Sequence, residues 1–566
     1  MSAPKASPEL VGNLLATLFS FCVLALLFVL FEGGLRVAGI GARDASTSRL
    51  AYQQIHLPIL REAARPDGTR VWVTADPRLP FQTILASKPA TALRVVTFGG
   101  SATAGLGFSP NVTFARHLRG MLEEALPRRE VEVLNLGIVA LSSRQVKLLV
   151  ADVCERYEPD VAVVYSGNNE FLEIHAEKYA AANRTRLASV ADLVERSHVF
   201  RTLRLALYGR PKPPSLADRD FSPEDLRLTQ ARIIEDVELA PQEIQKIVDA
   251  YEANLDEVVD AATAHGTPLV LVSVASNWKW RGRSDLPADW MTDWMTDSMA
   301  EFVPRGEADG ELDLAGLRGA LEERVAAAPA DERSGLLFRR AVVEERLGDF
   351  EAARASYRAA MNEDPHLRRA LDVMNERVAA VAQRRKVTFL DAVATLAGDA
   401  EHGIVGFGQF YDYVHFTPRG AVVLAEALFQ TLVSLGVVPA DRLAVADAYR
   451  ERQLRDLAEL EQDPLELAEW LGVGFEPERG IADRDLWKFD RLLGEIDARI
   501  EADGGDIRAR VYRANAHYFR IDGAARAEQD YRAALALLPD DPAIRDNLAR
   551  LSAERPLASP ARAPRP

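Results

Sequence analysis

Five residues of the types that perform acyl-transfer chemistry lie in short motifs spread along the chain. Ser101 lies in FGGSATAG, Gly137 in NLG, Asn169 in SGNNE, and Asp412 and His415 in FYDYVHFTPRG. A serine hydroxyl is a weak nucleophile and needs a neighbouring imidazole to remove its proton. The imidazole needs an acceptor at its other nitrogen, which a carboxylate three residues earlier provides if the segment is a loop. The motifs therefore predict a catalytic triad of Ser101, His415 and Asp412.

The remaining motifs supply hydrogen-bond donors for the charge that develops when a carbonyl is attacked. The backbone N–H groups of Ser101 and Gly137 and the side-chain amide of Asn169 predict an oxyanion hole. One such donor typically stabilises the transition state by ~3–4 kcal/mol.

Apolar runs that alternate with helical periodicity predict the elements on which these motifs lie. Strands are predicted at Leu93–Phe98, Val131–Leu136, Asp160–Ser166, Pro268–Val274 and Val387–Leu390, with a short extra strand at Arg70–Thr74. Helices are predicted at Phe114–Leu126, Ser143–Tyr157, Pro241–His265 and Arg419–Leu435. This alternation is typical of an α/β fold with a parallel sheet covered on both faces. The first three motifs directly follow strands, at the sheet edge where ligands bind.

The order G-x-S, Gly, G-x-N and D-x-x-H resembles the SGNH (GDSL-like) hydrolase superfamily. The resemblance covers about Leu93–Ser166, Pro268–Ala275 and Val387–Leu435. It implies a flavodoxin-like three-layer parallel sheet. The family's nucleophile, glycine donor, asparagine donor and acid–base pair correspond to Ser101, Gly137, Asn169, Asp412 and His415 in this sequence.

Two motifs depart from the usual family pattern. The usual G-D-S is Gly99-Gly100-Ser101 here, as in branches whose members modify polysaccharides, and the usual G-x-N-D is Gly167-Asn168-Asn169-Glu170. Both changes leave the catalytic groups in place and affect the expected substrate class.

The same residues can be compared with three other patterns. A phosphate-binding loop needs Lys-Ser/Thr after Gly105, where Leu106-Gly107 stands, and an α/β-hydrolase elbow needs glycine at Thr103. Taken singly, Ser101 is also a good helix N-cap, and Asp412 could cap the last helix. The four motifs together favour the active site.

Four of the seven tryptophans fall in a loop after the fourth strand: Trp278, Trp280, Trp290 and Trp294. Their aromatic faces predict either a wall for a sugar or acyl group, with Trp278 and Trp280 nearest the strand, or a packed lid or membrane-facing rim.

The N-terminal region predicts a membrane anchor. Leu10–Phe31 holds 22 residues without a charge, enough for a helix to cross the ~30 Å hydrocarbon core. No small-x-small cleavage site follows, so the segment is predicted to be retained. Arg36, Arg43 and Arg49 outnumber Lys5 across it and do not place the body outside. The resemblance to cell-envelope enzymes implies an extracytoplasmic, periplasmic domain.

Two segments carry the spacing of tetratricopeptide (TPR) helix pairs, at Leu337–Pro365 and Ala509–Pro539. Helix pairs of this kind form protein-binding surfaces, so a protein partner is expected. The predicted division is an N-terminal tail (1–9), an anchor (10–31), a connecting segment (32–90), an SGNH-like domain (91–435) with a helical insertion (171–266) and a TPR-like insertion (296–385), a C-terminal TPR-like module (436–555) and a Pro-rich tail (556–566).

The net charge of the chain and the spacing of its histidines limit the classes of partner and cofactor that we expect. The net charge of −16, with no basic stripe, argues against nucleic acid as a partner. His175 and His402 lack partners at metal-ligand spacing, so no metal is predicted, and the triad chemistry needs no cofactor.

The sequence therefore favours hydrolysis of an acyl ester through an acyl-enzyme. Two alternatives stay open. One is an O-acetyltransferase of cell-envelope polysaccharide, in which a sugar hydroxyl replaces water. The other is a TPR scaffold whose triad is inactive.

Overall fold

A computed structural model describes residues 8–40, 53–182, 197–208, 238–280, 313–460, 496–518 and 524–549, apart from single residues and residues 106–111 within these ranges. Residues 461–495 of the predicted C-terminal module, the Pro-rich tail (556–566), Trp290 and Trp294 lie outside the described residues.

The core of the fold is a parallel sheet of five strands. They are β4 (Leu93–Gly99), β5 (Val131–Gly137), β6 (Val161–Tyr165), β7 (Leu269–Val272) and β8 (Thr388–Leu390), in the spatial order β5-β4-β6-β7-β8. Every pair is parallel. The residues of β4, β6 and β7 are buried throughout, as their apolar sequences require of strands covered on both faces. The predicted α/β class and all five predicted strands are confirmed.

The helices, in chain order, are α1 (Pro8–Val37), α2 (Ser101–Ala104), α3 (Phe114–Ala125), α4 (Ser143–Arg156), α5 (Leu172–Ala182), α6 (His198–Tyr208), α7 (Pro241–Ala264), α8 (Leu314–Ala327), α9 (Ala330–Arg346), α10 (Phe350–Asn362), α11 (Asp372–Arg385), α12 (Ala392–Asp399), α13 (Pro418–Ser434), α14 (Leu443–Leu460), α15 (Ile507–Tyr518) and α16 (Ala524–Leu537). Helices α3, α13 and α14 pack together as one group, and α4, α7 and α11 as another. These two groups of helices cover the sheet, and loops lie at the ends of its strands.

The segment before the parallel sheet, predicted as a connection, folds into a small antiparallel sheet. Its strands are β1 (Leu60–Ala64), β2 (Arg70–Thr74) and β3 (Thr83–Leu85), with β2 in the middle. The Ile59 N–H donates to Asp152 Oδ2 over 3.1 Å, and Gln53 Nε2 donates to the Ala140 carbonyl over 2.7 Å. Residues 53–90 are therefore attached to the sheet domain at several points.

The two predicted repeat segments each form a helical pair, α9–α10 and α15–α16. The first pair shares one continuous hydrophobic core with the sheet domain through buried side chains such as Phe338 and Tyr357. The second pair has a small core of its own, formed by Ala514, Ala527, Tyr531, Ala534 and Ile544. The first insertion is thus built onto the sheet domain, and its assignment to the TPR class stays a prediction.

Helix α1 is the one described helix that is long and apolar enough to cross a membrane. The stretch Thr17–Val37 has a mean hydropathy of 2.3, and none of it is buried. A membrane anchor and a signal sequence both have these properties.

Candidate active site

Ser101 lies where β4 turns into the four-residue helix α2. The turn is tight because the strand must pass close to its neighbour: a Cβ on Gly99 would lie 2.1 Å from the Tyr165 carbonyl oxygen. Thr103 Oγ1 donates to that same carbonyl over 3.1 Å. The serine is thereby fixed at the carboxyl ends of β4 and β6, where the sequence placed it.

Asp412 and His415 lie on a loop that folds back on itself just before α13. Phe410 and Phe416 close the loop with an isolated antiparallel bridge and stacked rings 4.9 Å apart. Asp412 Oδ1 accepts from the backbone N–H groups of Val414 and His415, each over 2.8 Å. The predicted loop geometry, in which Asp412 turns back onto His415, is what the structure shows.

The cap of α13 is Thr417, not Asp412. The Thr417 side chain accepts from the Gly420 N–H over 3.1 Å, and Pro418 occupies the first turn. Asp412 is therefore not needed as a helix cap, which removes the structural alternative for this residue.

The three side chains form a continuous hydrogen-bond chain. Ser101 Oγ lies 2.8 Å from His415 Nε2, and His415 Nδ1 lies 2.6 Å from Asp412 Oδ2. All three residues are buried, with 8%, 4% and 4% of Ser101, Asp412 and His415 exposed. An ionised carboxylate only accepts, so Nδ1 carries the proton and Nε2 is left as the acceptor facing the serine.

The charge state of Asp412 fits this arrangement. Burial opposes its ionisation, but His415 and the N–H groups of Val414 and His415 more than offset burial and hold the pKa of Asp412 below its usual 3.8. A lowered folded-state pKa stabilises the fold above the unfolded-state pKa, and this contribution disappears as pH falls through the folded-state value. The carboxylate is therefore ionised throughout the neutral range.

Asn169 lies beside Gly100, the residue before Ser101. Its Nδ2 donates to the Leu141 carbonyl over 2.9 Å, and a Cβ on Gly100 would lie 2.5 Å from this same nitrogen. Gly100 therefore gives the amide room to approach the residue next to Ser101. An amide nitrogen carries two N–H groups, so the bond to Leu141 leaves a second donor.

The N–H of Gly137, which the sequence predicts to be an oxyanion donor, is already used within the protein. It donates to Asn135 Oδ1 over 2.9 Å, so this donor already has an acceptor inside the protein. The glycine is required for packing, because a Cβ here would lie 2.1 Å from the Ala104 nitrogen in α2. Gly137 thus lets the helix that carries Ser101 rest on the end of β5, and the predicted donor must be sought elsewhere.

Trp278 and Trp280 lie near the loop of Asp412 and His415, but neither presents a free face. Only 5% of Trp278 and 8% of Trp280 is exposed. The Trp280 ring packs at 5.0 Å on Tyr413, whose ring lies 5.9 Å from that of His415. In this structure the two tryptophans therefore belong to the packing beneath the loop and not to an open substrate wall.

Two residues that the sequence analysis missed hold the triad loop in place. Asn277 Nδ2 donates to the Asp412 carbonyl over 3.0 Å, and the Asn277 N–H donates to the Tyr413 carbonyl over 2.9 Å. The Arg369 guanidinium donates to the carbonyls of Asn277 and Trp280. Arg369 is 6% exposed, and burial lowers its pKa to about 10.

Arg369 follows α10, so the helical insertion itself contacts the active-site loops. The neighbouring Ala370 N–H donates to Asn168 Oδ1 over 3.1 Å, next to Asn169. An arginine between two helices gives no sequence signal for such a role. Asn277, in contrast, could have been found from the sequence, because it follows the fourth predicted strand and therefore lies at the same sheet edge as the other motifs.

The departure at Glu170 also has a structural explanation. Its carboxylate accepts from the Ser143 N–H over 2.7 Å and from Ser143 Oγ over 2.8 Å, at the first turn of α4. Burial raises the pKa of Glu170 to about 7. This residue ties the Asn169 loop to the first turn of α4.

No protein-family model matches the chain, and no curated protein matches it. Among solved structures, similar chains include a GDSL-like lipase from Bacteroides thetaiotaomicron, with 13% identity, a TM-score of 0.27, and coverage of 62% of this chain and 93% of that one. An acetylxylan esterase from Geobacillus stearothermophilus has 12% identity, a TM-score of 0.27, and coverage of 60% and 95%.

A lipase/acylhydrolase from Enterococcus faecalis has 10% identity, a TM-score of 0.27, and coverage of 60% of this chain and 96% of that one. The solved neighbours are thus GDSL-like lipases, acylhydrolases and esterases. At this level of similarity they do not assign an activity to this chain.

Removal of the Asn169 amide is expected to lower kcat by ~10²–10³ with little change in KM, because the donor acts mainly on the transition state. Asn169→Ala should be measured with Asn169→Asp, which keeps the size but replaces the donors by acceptors and should be at least as damaging. A large rise in KM at constant kcat would make Asn169 a substrate-binding residue instead.

Replacement of Arg369 is expected to disturb the geometry of the triad loop. Arg369→Met should lower kcat by about 10- to 100-fold with little change in KM, since small misplacement of catalytic groups has effects of this size. Arg369→Lys, which keeps the positive charge and one donor nitrogen, should recover part of the rate. The matched control is Arg368→Met. The guanidinium of Arg368 also lies near Trp280, 5.9 Å from the centre of its ring. Equal losses in both variants would contradict a specific role for Arg369.

Proposed function

We propose that this chain is a membrane-anchored serine esterase that hydrolyses acyl esters through an acyl-enzyme on Ser101. The observation that carries the proposal is the buried hydrogen-bond chain from Ser101 Oγ through His415 to Asp412, at 2.8 and 2.6 Å. Such a chain is the arrangement that activates a serine hydroxyl and stabilises the imidazolium that forms.

In the proposed reaction, Ser101 Oγ attacks the ester carbonyl while His415 Nε2 takes the hydroxyl proton. The tetrahedral intermediate collapses when the same nitrogen returns the proton to the leaving alcohol. Water then enters, loses a proton to His415 and attacks the acyl-enzyme. When this second intermediate collapses, His415 Nε2 returns the proton to Ser101 Oγ, and the acid and free Ser101 are released. Asp412 keeps its charge throughout and stabilises the protonated imidazole.

The proposed oxyanion donors are the Ser101 N–H, the second N–H of Asn169 and the N–H of Ala140, which replaces Gly137 in this role. Ala140 has a φ of 65°, a conformation that is uncommon for a residue with a Cβ and that is often found at functional sites. Its turn is held on both sides, because Gln53 donates to the Ala140 carbonyl and Asn169 to the Leu141 carbonyl.

The intact geometry of the site favours an enzyme over an inactive TPR scaffold. A chain selected only for partner binding has no need for a buried serine–imidazole–carboxylate contact, and buried polar groups are costly unless they are satisfied. The helical pairs α9–α10 and α15–α16 are proposed to bind a protein partner alongside catalysis.

The direct test is hydrolysis of a chromogenic acetyl ester by the full chain in detergent, compared with its Ser101→Ala variant. The proposal expects turnover that depends on Ser101. Addition of a sugar or oligosaccharide acceptor then separates the two fates of the acyl group: free acetate indicates an esterase, and acetylated sugar indicates the acetyltransferase alternative. A Ser101→Ala variant as active as the parent would overturn the proposal.

The anchor is proposed to leave everything from Glu32 onward outside the cytoplasm. An alkaline phosphatase fusion after Gly41 is expected to be active, and a fluorescent reporter that folds only in the cytoplasm is expected to be dark. The opposite pattern would place the site in the cytoplasm and remove cell-envelope polysaccharide from the candidate substrates.

A further inference from the structure

Helix α6 carries a row of exposed apolar side chains. Phe200, Leu203 and Leu207 are 44%, 51% and 72% exposed. Their spacing of three and four residues places them on one face of the helix. A row of this kind on a protein surface marks a contact with another apolar body.

The start of α6 is attached to α1. Glu32 accepts from Ser197 Oγ over 2.8 Å and from the N–H groups of His198 and Val199 over 2.9 and 3.0 Å. The carboxylate of α1 thus caps the first turn of α6, where free N–H groups favour a negative charge.

Two further contacts hold the first turn of α6 against α1. The Phe28 and Phe200 rings lie 6.2 Å apart, and His198 Nδ1 contacts the Ile40 carbonyl oxygen over 2.9 Å. The first turn of α6 therefore lies beside α1, at the carboxyl-terminal end of its apolar stretch. Phe200, the first residue of the exposed row on α6, therefore lies next to the exposed apolar stretch Thr17–Val37.

The composition of α6 indicates that its exposed apolar row contacts a lipid surface. Its sequence HVFRTLRLALY contains two arginines and no acidic residue, and Arg210 and Lys212 follow, in a chain whose net charge is −16. Basic, amphipathic helices of this kind lie at the boundary of headgroups and acyl chains, where anionic lipids attract them.

We infer that α6 lies in the headgroup–acyl boundary of the bilayer that α1 crosses, with Phe200, Leu203 and Leu207 in contact with acyl chains. The inference rests on the proposed anchoring of α1 and adds a second membrane contact to it. Glu32 joins the two helices, so the sheet domain is held against the membrane at two points. Removal of α1 by a signal peptidase would also remove the cap of α6, so the contact requires that α1 be retained.

The test uses the full chain in vesicles of phosphatidylcholine and phosphatidylglycerol, with an environment-sensitive fluorophore on a single cysteine. Cys22 and Cys154, both free, are first replaced by serine. A label at Leu207→Cys is compared with labels at Leu26→Cys in α1 and Glu155→Cys on the exposed surface of α4. Nitroxide-bearing lipids report contact with acyl chains by quenching.

The expected result is quenching at position 207 that is at least half of that at position 26, with none at position 155. Quenching at 26 without quenching at 207 would overturn the inference and leave the anchor intact, whether the 207 label is exposed to water or covered by protein. Absence of quenching at both positions would overturn the anchor as well. Ester turnover of the parent chain, measured separately, distinguishes either failure from a failure of the proposed esterase.

Discussion

Ser101→Ala and His415→Ala are each expected to reduce ester turnover by about 10⁶-fold, because a serine nucleophile and its base act as one unit. For the same reason the double variant should be scarcely worse than either single variant. The measurement is kcat for the chromogenic acetyl ester in the four-member mutant cycle, with circular dichroism to show that each variant is folded.

A matched control is available at the same end of the sheet. Ser166 follows β6, and its buried Oγ has no hydrogen-bond partner among the described residues. Ser166→Ala should therefore retain full turnover. Losses at Ser101 and His415 that multiply in the double variant would show that the two residues act independently, against the proposed pair.

Asp412→Asn is expected to lower kcat by ~10⁴ with the loop intact. The asparagine oxygen can still accept from the N–H groups of Val414 and His415, which now meet Oδ1 at 2.8 Å. Its NH₂ group, however, would face His415 Nδ1 and favour the tautomer whose proton sits on Nε2. The imidazole then has no lone pair toward Ser101 and cannot take the hydroxyl proton.

The control for this variant is a second buried carboxylate that lies outside the site. Asp399 is bonded to Arg419 and Arg450 over 2.8 and 3.1 Å. Asp399→Asn should lower the melting temperature without a comparable loss of kcat. A similar loss of kcat in both variants would mean that the Asp412 effect comes from instability and not from the tautomer.

Much of the fold could be predicted because its strands are long apolar runs. β4, β6 and β7 are buried on both faces and therefore show an unbroken hydrophobic signal, which fixed their positions within a residue or two. The antiparallel sheet before them was predicted only at β2, because the exposed positions of β1 dilute its pattern.

The residues of the proposed triad were predictable from the sequence, but the groups that position them were not. Ser101, Asp412 and His415 are required by chemistry, so their types and motifs are visible in the sequence. The N–H of Gly137 was predicted to be an oxyanion donor, but in the structure it donates to Asn135 Oδ1. A sequence does not show which N–H groups already have acceptors. The role of Arg369 was not predicted, because its hydrogen bond to the Asn277 carbonyl joins residues that are far apart in the chain.

The tryptophans illustrate the same limit. Trp278 and Trp280 were predicted either to form a substrate wall or to belong to a packed lid or membrane-facing rim, and both are buried. Aromatic residues are large apolar groups before they are binding faces, and only packing decides which role they take. Here Trp280 packs on Tyr413 and contributes to the support of the loop that carries His415.

The central claim is that Ser101 is a nucleophile activated by His415, and covalent capture tests it most directly. A fluorophosphonate reacts with such a serine, which displaces fluoride and keeps the phosphonyl group on Oγ. Intact-mass analysis of the full chain is expected to show one adduct, located by peptide mapping on Ser101, absent in Ser101→Ala and formed far more slowly in His415→Ala. A folded parent chain that acquires no adduct, or acquires it on another residue at the same rate in all three proteins, would contradict the account.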